Sequence, residues 1–335
     1  MNKRIVSALV LAGMIASTSA FASNARELVM GTGGAANYSN GGSFYYEDAY
    51  NFFYNPAYVN DYKNWAIFEK GTGNNAASFG FVSSMMNMNL GLFFNRNTAQ
   101  GDFRSGALTT GTNALDLMIG GDMGVKWGLG FTYGNRKLYN NSSQNALDVR
   151  AGVEVNGFDP FLHFVAIGAD KVAGATSVKY TGLGAGLRYH YGEWTPYGAI
   201  NSSKLTPQAA GATTVKNTTW TLGLGRETKL AEGARLVYAL YYSNGNTPKL
   251  SETPIDMAIE ADALTWLTLR GGVNHVLIGG DGRTTVRIGG TFHVAKVDLD
   301  YAFGNGTATG GNTPDSSDIG FDSGTFHQVA MRYSW

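Results

Sequence analysis

Ionisable residues recur on one phase of a two-residue period through most of this chain. Asp116, Lys126, Asp148, Arg150, Glu154, Arg188, Glu227, Arg235, Asp256, Glu260, Arg270, Arg287, Asp298, Asp300 and Arg332 share that phase, and most stand between apolar neighbours. Eight are acidic and seven basic, so the set is nearly balanced. Charge on every second position of an otherwise apolar strand needs water or a partner on that face. Two roles fit. The groups line a wet passage with little charge selectivity, or they brace a wall as a salt-bridge lattice. Catalytic patterns are weaker. The histidines at 163, 190, 275, 293 and 327 lack metal-ligand spacing. A hydrolase built into a barrel wall needs a Ser and a His together on the lipid side. His163 and His275 are the candidates for an outward face, and neither has a well-placed Ser. Gly182-x-Gly184-x-Gly186 lies inside a period-2 run with no helix after it, so it is no dinucleotide loop, and Gly31-Thr32-Gly33-Gly34 is equally weak. We expect no enzyme activity, no catalytic residue, no metal and no cofactor.

The elements that carry these charges are strands. Met86, Met88, Leu90, Leu92 and Phe94 alternate with polar or small residues, as do Val125 to Tyr133, Leu147 to Val155 and Leu183 to Tyr191. The same period continues through Trp220–Leu224, Leu236–Tyr242, Leu267–Val273, Val286–Phe292 and Val297–Phe303. A soluble sandwich also alternates. These runs, however, are about 9–11 residues long, the length that crosses a bilayer at a tilt. Aromatics at run ends (Trp127, Tyr133, Tyr191, Trp194, Trp266) suit the membrane interface. Short turns near 83–84, 121–122, 156–157, 191–193, 231–233, 261–263 and 294–296 take turns with longer loops near 97–112, 138–146, 169–176, 203–215, 245–254 and 305–322. The expected fold is all-β: a transmembrane, antiparallel, up-and-down β-barrel of about 16 strands, with 14 as the alternative. Its N-terminal segment should lie in or against the lumen. The least regular strands are those near 159–168 and 194–203.

Composition agrees. Charged residues are only 15% of the chain, against about 25% in ordinary soluble proteins. No run of 18 apolar residues follows the N-terminus, so no membrane helix is expected. Residues 1–22 read as a signal peptide: Lys3 and Arg4, an apolar Ile5–Ile15, then Ala20-Phe21-Ala22, with cleavage after Ala22. Removing Lys3 and Arg4 leaves 23 basic against 25 acidic residues, which excludes nucleic acid as a partner. With Cys 0, neither a disulfide framework nor a lipid-anchored cysteine is present.

The chain then divides into the signal peptide (1–22), a hatch-like segment (23–62) and the barrel (63–335). The C-terminus places Val329, Met331, Tyr333 and Trp335 on one face. This resembles the terminal strand signal that the barrel assembly machinery reads in outer-membrane proteins. The segment Tyr45 to Val59 is rich in aromatics and contains Asp48, Ala49, Phe52, Phe53, Asn55, Pro56 and Ala57. It resembles the N-terminal "D-A…F-x-N-P-A" element of the long-chain fatty acid outer-membrane transporter superfamily. Trp266 to Gly272 and Val297 to Phe303 are similar to later strands of those barrels. The resemblance implies a hatch inside the barrel and 14 strands.

The leading expectation is a porin-like channel of the Gram-negative outer membrane, passing small solutes by diffusion. A gated transporter or binding barrel for hydrophobic molecules such as fatty acids is the alternative, and a structural protein with a closed lumen is a third. Permeation residues would be the lumen-phase charges above. Expected partners are outer-membrane lipid and lipopolysaccharide, the barrel assembly machinery and small solutes, with a homo-oligomer left open.

Overall fold

The structure is a computed structural model that describes residues 23–35, 41–71, 77–96, 114–137, 143–171, 177–209, 211–246, 249–279, 284–304 and 326–335. The expected signal peptide and most of the expected long loops lie outside the described residues.

Sixteen antiparallel strands close into one barrel. They begin with β1 (Trp65–Gly71), β2 (Ser78–Met85), β3 (Met88–Phe94) and β4 (Ala114–Asp122). The wall lengthens through β5 (Lys126–Lys137), β6 (Ser143–Glu154), β7 (Phe158–Lys171), β8 (Val178–Tyr189), β9 (Trp194–Pro207) and β10 (Val215–Ala231). It continues with β11 (Ala234–Asn246), β12 (Lys249–Leu264), β13 (Leu267–Gly279) and β14 (Thr284–Val294), and ends with β15 (Val297–Gly304) and β16 (Phe326–Ser334). Each strand pairs with its sequence neighbour, and β1 pairs with β16 to close the ring. The count is therefore 16, not the 14 of the alternative and of the fatty acid transporter resemblance. The two least regular strands, β7 and β9, are both present. The β6–β7 and β7–β8 registers shift along β7, which accounts for its blurred alternation.

Alternation sorts the two faces. Leu129, Leu162, Leu183, Leu222, Leu240, Ile259, Leu269 and Ile288 are exposed on the outside. Their neighbours Asp148, Arg150, Arg188, Thr221, Asp256 and Asp300 are buried on the inside. The C-terminal positions Val329, Met331, Tyr333 and Trp335 face outward, while Ala330 and Arg332 face inward. Cross-strand packing holds the inner register. Gly80, Gly186 and Gly223 lie directly opposite Phe93, Phe161 and Tyr197, whose rings cover the space a Cβ would take.

The described tight turns cluster at one end, where β1 starts and β16 stops; at the other end β11 stops at Asn246 and β12 starts opposite it at Lys249, so the loop expected near 245–254 is mostly strand. Met86 and Asn87 both have positive φ (51° and 64°), as do Asn156 and Gly157 (52° and 79°), the backbone of two-residue hairpins matched to strand twist. Two turns fall about three residues later than expected. β2 runs on to Met85, because Ser83 and Ser84 pair with Leu90 and Asn89. β12 runs on to Leu264, where Asp262 accepts a hydrogen bond from Thr268 (2.6 Å).

Candidate functional site

Residues 23–35 and 41–62 occupy the lumen at the short-turn end. Helix α1 (Asn24–Met30) is capped by Ser23, whose hydroxyl accepts from the Arg26 N–H (3.0 Å). Two 3-10 turns follow. Asp48 caps Ala49–Phe53 by accepting from the Tyr50 N–H (2.8 Å). Asn55 caps Pro56–Asn60 by accepting from the Ala57 N–H (3.1 Å). Asn55-Pro56 thus starts a short helix, with proline at its first position where a missing N–H costs nothing. Asp48, Phe52, Phe53, Asn55, Pro56 and Ala57 are all buried in this plug.

The plug touches wall strands around the whole circumference. The 3-10 turn at Pro56–Asn60 packs on β3 to β6, and α1 packs on β12 to β16. Between them, Phe44 and Tyr54 stack against Phe161 and Tyr197 of β7 and β9 (ring centroids 5.1–5.9 Å). Gly225 of β10 faces Tyr45. Wall glycines admit the plug backbone. A Cβ on Gly128 or Gly152 would fall on Pro56 or Asn55, and one on Gly272 would fall on the Val29 carbonyl. Gly128 packs on the plug, and Thr221 is buried with Ser243 (3.0 Å).

The inner wall is apolar where the plug's rings meet it. Trp65, Ile67, Val82, Phe93, Met118 and Phe161 point inward and join Phe44, Phe52, Phe53 and Tyr54 in one buried cluster. A uniformly wet, polar lumen is therefore not what this barrel has. Burial of these rings supplies the driving force, and their contacts (Phe52–Phe53 edge-on at 4.5 Å, Phe52–Phe93 tilted at 5.3 Å) fix the packing.

The wall charges grip the plug by hydrogen bonds. Arg150 donates to the Phe53 carbonyl (2.5 Å) and to Asp116 (2.7 Å). Arg188 donates to the Ser43 carbonyl (2.9 Å), to Glu47 (2.8 Å) and to Asp159 (3.2 Å). Arg287 donates to the Leu28 carbonyl (2.7 Å). Asp256 accepts from the Gly33 N–H (2.8 Å) and from Asn274 (2.5 Å). Helix and turn C-termini leave carbonyls without internal partners, and here guanidinium groups of the wall satisfy two of them, Leu28 and Phe53. Arg26 reverses the direction: it leaves α1, pairs with Asp48 and donates to Glu260 (3.0 Å). Glu260 also receives Arg235 (2.8 Å) and Arg270, and Arg235 holds Glu227 (2.6 Å). Farther round the wall, Arg332 pairs with Asp298, and Asp300 accepts from Thr291. At the short-turn rim, Lys126 joins Glu154 (3.0 Å) to Asp61 of the plug (2.5 Å). Asp148 is buried on the inner face.

All fifteen lumen-phase charges thus face inward, and many are tied to the plug or to one another. His163 was placed near an outward face; it faces inward, 4.0 Å from Asp148, because it shares its register position with Arg150. His275 pairs with outward Ile255 and bonds Thr284 (2.7 Å). Sequence reasoning missed Arg26, Glu69, Asp159 and His190. Glu69 was readable, since Trp65, Ile67 and Glu69 share a phase. Arg26 sits in a segment with no period to betray its partner. Burial, with Asp48 next in weight, pushes Glu27 of α1 up to about 8 although the Gly42 N–H bonds it (3.0 Å).

Neither protein-family models nor curated proteins match this chain. Among solved structures, several mutants of the porin of Rh. blastica align with it. One covers 81% of this chain and 98% of its own at 13% identity, with a TM-score of 0.42. A triple mutant of the same porin, from Rhodopseudomonas blastica, gives 12% identity and the same coverage and TM-score.

Proposed function

We propose that this protein is a porin-like channel of the bacterial outer membrane in which the N-terminal segment sets the passage of small solutes. The carrying observation is the plug's contact with strands all around the inner wall at the short-turn end. Barrels of this class keep short turns in the periplasm, so the plug sits in the periplasmic half. Solute enters from the long-loop end and meets the plug before it can leave. Asp116, Arg150, Arg188, Asp256, Glu260, Arg270 and Arg287 hold the plug and wall together rather than forming a free charged ring. Groups that remain partly exposed near the periplasmic mouth include Lys126 (29%), Glu154 (27%), Asp61 (29%), Glu47 (43%), His190 (32%) and Glu227 (34%). Val329, Met331, Tyr333 and Trp335 present the outward strand face that assembly machinery reads.

A channel for hydrophobic cargo needs an apolar face open to that cargo. The seven rings of residues 44–54 are each at most 2% exposed, so they are packing and not a ligand groove. Planar-bilayer recording tests the proposal. Full-length protein should show small or gated currents, and deletion of residues 40–54 should raise single-channel conductance. If both proteins assemble and conduct alike, the segment is not the constriction. If neither conducts, the barrel is a closed structural element.

A further inference from the structure

Four of the chain's ten methionines stand at two neighbouring turns of the short-turn end. Met85, Met86 and Met88 surround the turn between β2 and β3, and Met123 lies in the turn between β4 and β5. All four are exposed, Met86 to 86% and Met123 to 81%. Pairing brings their sulfurs within reach of one another. Met85 and Met88 lie directly opposite each other as the last pair of the hairpin. They share the outward phase of exposed Phe79. Opposed side chains have Cβ atoms about 4.5–5.5 Å apart, and a methionine sulfur moves freely on its flexible stem. Met86 follows at the first turn position. β3 pairs with β4, Asn89 opposite Gly120, so the tip that holds Met86 stands beside the tip that holds Met123. Adjacent hairpins lie about 10 Å apart, two strand spacings, a gap that two facing methionine side chains can close.

Local rules do not account for this cluster. Met86 has a φ of 51°. That position of a two-residue hairpin favours Gly, Asn or Asp, and the turn at Asn156-Gly157 obeys the preference. A long apolar side chain there is strained and, at the tip, gains little burial. A need for apolar surface does not account for it either. Other short turns at this end carry exposed Leu230, Leu264 and Val294. At these two turns the exposed large apolar side chains are Val125 and the four methionines. What methionine adds to an apolar side chain is a soft, uncharged sulfur donor.

We infer that the two turns form a binding site for a soft monovalent metal ion of the copper(I) class, held by the thioethers of Met85, Met86 and Met88 with Met123 as a fourth donor. Thioethers select such ions over magnesium and calcium, which take oxygen, and over zinc, which takes imidazole, thiolate or carboxylate. This donor set is separate from the histidines and carboxylates, whose spacing offers no metal site. A thioether does not titrate, so binding releases no proton and holds across pH, unlike binding to histidine or carboxylate. The site is independent of plug seating and of conduction.

The test titrates full-length protein in detergent with silver nitrate, a redox-inert soft ion, by calorimetry in chloride-free buffer. Wild type is compared with Met85→Leu/Met86→Leu/Met88→Leu, which keeps the apolar bulk and removes the sulfurs. A control double, Met257→Leu/Met331→Leu, removes exposed methionines of the outer wall. Wild type and control should bind silver at this site with equal affinity. Changing a group that only supports a metal ligand already costs about 10–100-fold in affinity, so the triple variant should bind at least about 100-fold more weakly. Equal binding by all three proteins overturns the site, and so does absence of binding by wild type. Affinity should be unchanged between about pH 5.5 and about pH 7.5; a loss toward the acid end overturns thioether ligation. A second measurement uses wild type alone, so it does not depend on the variant assembling. With carbon-13 in the methionine methyl groups, silver should shift the signals of the turn methionines and leave those of buried Met30 and Met118 in place. Shifts spread over all the methionines, or none, overturn the inference. Zinc should move none of these signals, and a zinc shift equal to that of silver overturns the selectivity for soft ions.

Discussion

Gly271 and Gly272 are adjacent on β13, yet a methyl group added to each should have opposite consequences. A Cβ on Gly271 points outward and finds its nearest neighbour, Ile259 Cγ2, at 4.0 Å, an ordinary contact. A Cβ on Gly272 points inward onto the Val29 carbonyl oxygen and sits 3.0 Å from its carbonyl carbon. Both atoms belong to the backbone of α1, so no side chain can swing aside. Restoring normal contact requires α1 to move by roughly 1.5 Å. That displacement breaks the bond from Arg287 to the Leu28 carbonyl, now 2.7 Å. Overpacking costs about 1–3 kcal/mol, and a lost bond from a charged donor about 1.5–3 kcal/mol. Allowing for relaxation, Gly272→Ala should weaken plug docking by about 2–4 kcal/mol, or about 30- to 1,000-fold in the docked-to-free ratio. Gly271→Ala should stay within about 0.5 kcal/mol. Two assays read this. Single-channel recording should show longer or larger openings for Gly272→Ala alone. Trypsin should cut after Arg26 in that variant, because α1 no longer shelters it. If the two variants behave alike in both assays, α1 does not rest on β13, and the account of plug seating is wrong.

Leu222→Arg puts a charge on the outer face, where Leu222 is 62% exposed; it should cost about 2–4 kcal/mol near the bilayer midplane in a refolding titration, and no loss would place Leu222 away from lipid. Glu27 should make plug docking depend on pH. Its folded value, about 8, lies above its ordinary 4.5, with Asp48, Arg96 and Glu69 around it. The stability it contributes is therefore fully present below about pH 4.5 and is lost as pH rises through about 8. Open probability should rise between pH 6 and pH 9, and Glu27→Gln should flatten that rise. Removing Trp335, whose N–H donates to the Asn64 carbonyl (3.0 Å), should lower outer-membrane levels of the protein on fractionation. Unchanged levels would count against its role in assembly.

Much of the barrel was legible because its determinants are local. A two-residue period decides the face of every side chain, so Leu222 outside and Asp256 inside follow from spacing alone. The strand count also followed, since Asn156-Gly157 and similar pairs mark the turns. Details of the lumen were not legible, because they depend on contacts between distant residues. Arg188 reads as a pore-lining charge in sequence, yet it serves Ser43, Glu47 and Asp159 at once. Likewise Phe93 and Trp65 sit on the phase where polar residues were expected, and only the rings of Phe52 and Phe53 explain them. His163 was hard to place because inward Phe161 and Val165 and outward Leu162 and Phe164 make both faces of β7 apolar around it.

Asn24 has a consequence for how the ring closes. Its backbone N–H and its side-chain amide both donate to Glu69 of β1 (2.7 Å each). The same helix packs on β15 and β16. Helix α1 therefore clasps the first strand and the last strand together from inside, across the junction where Trp65 pairs with Ser334 and Gly71 with Gln328. α1 precedes every strand in the chain and β16 is the final one, so this clasp can engage only when the final strand arrives. Once engaged, parting the ring sideways means pulling apart the β1–β16 ladder and also prising α1 from one of its two sides.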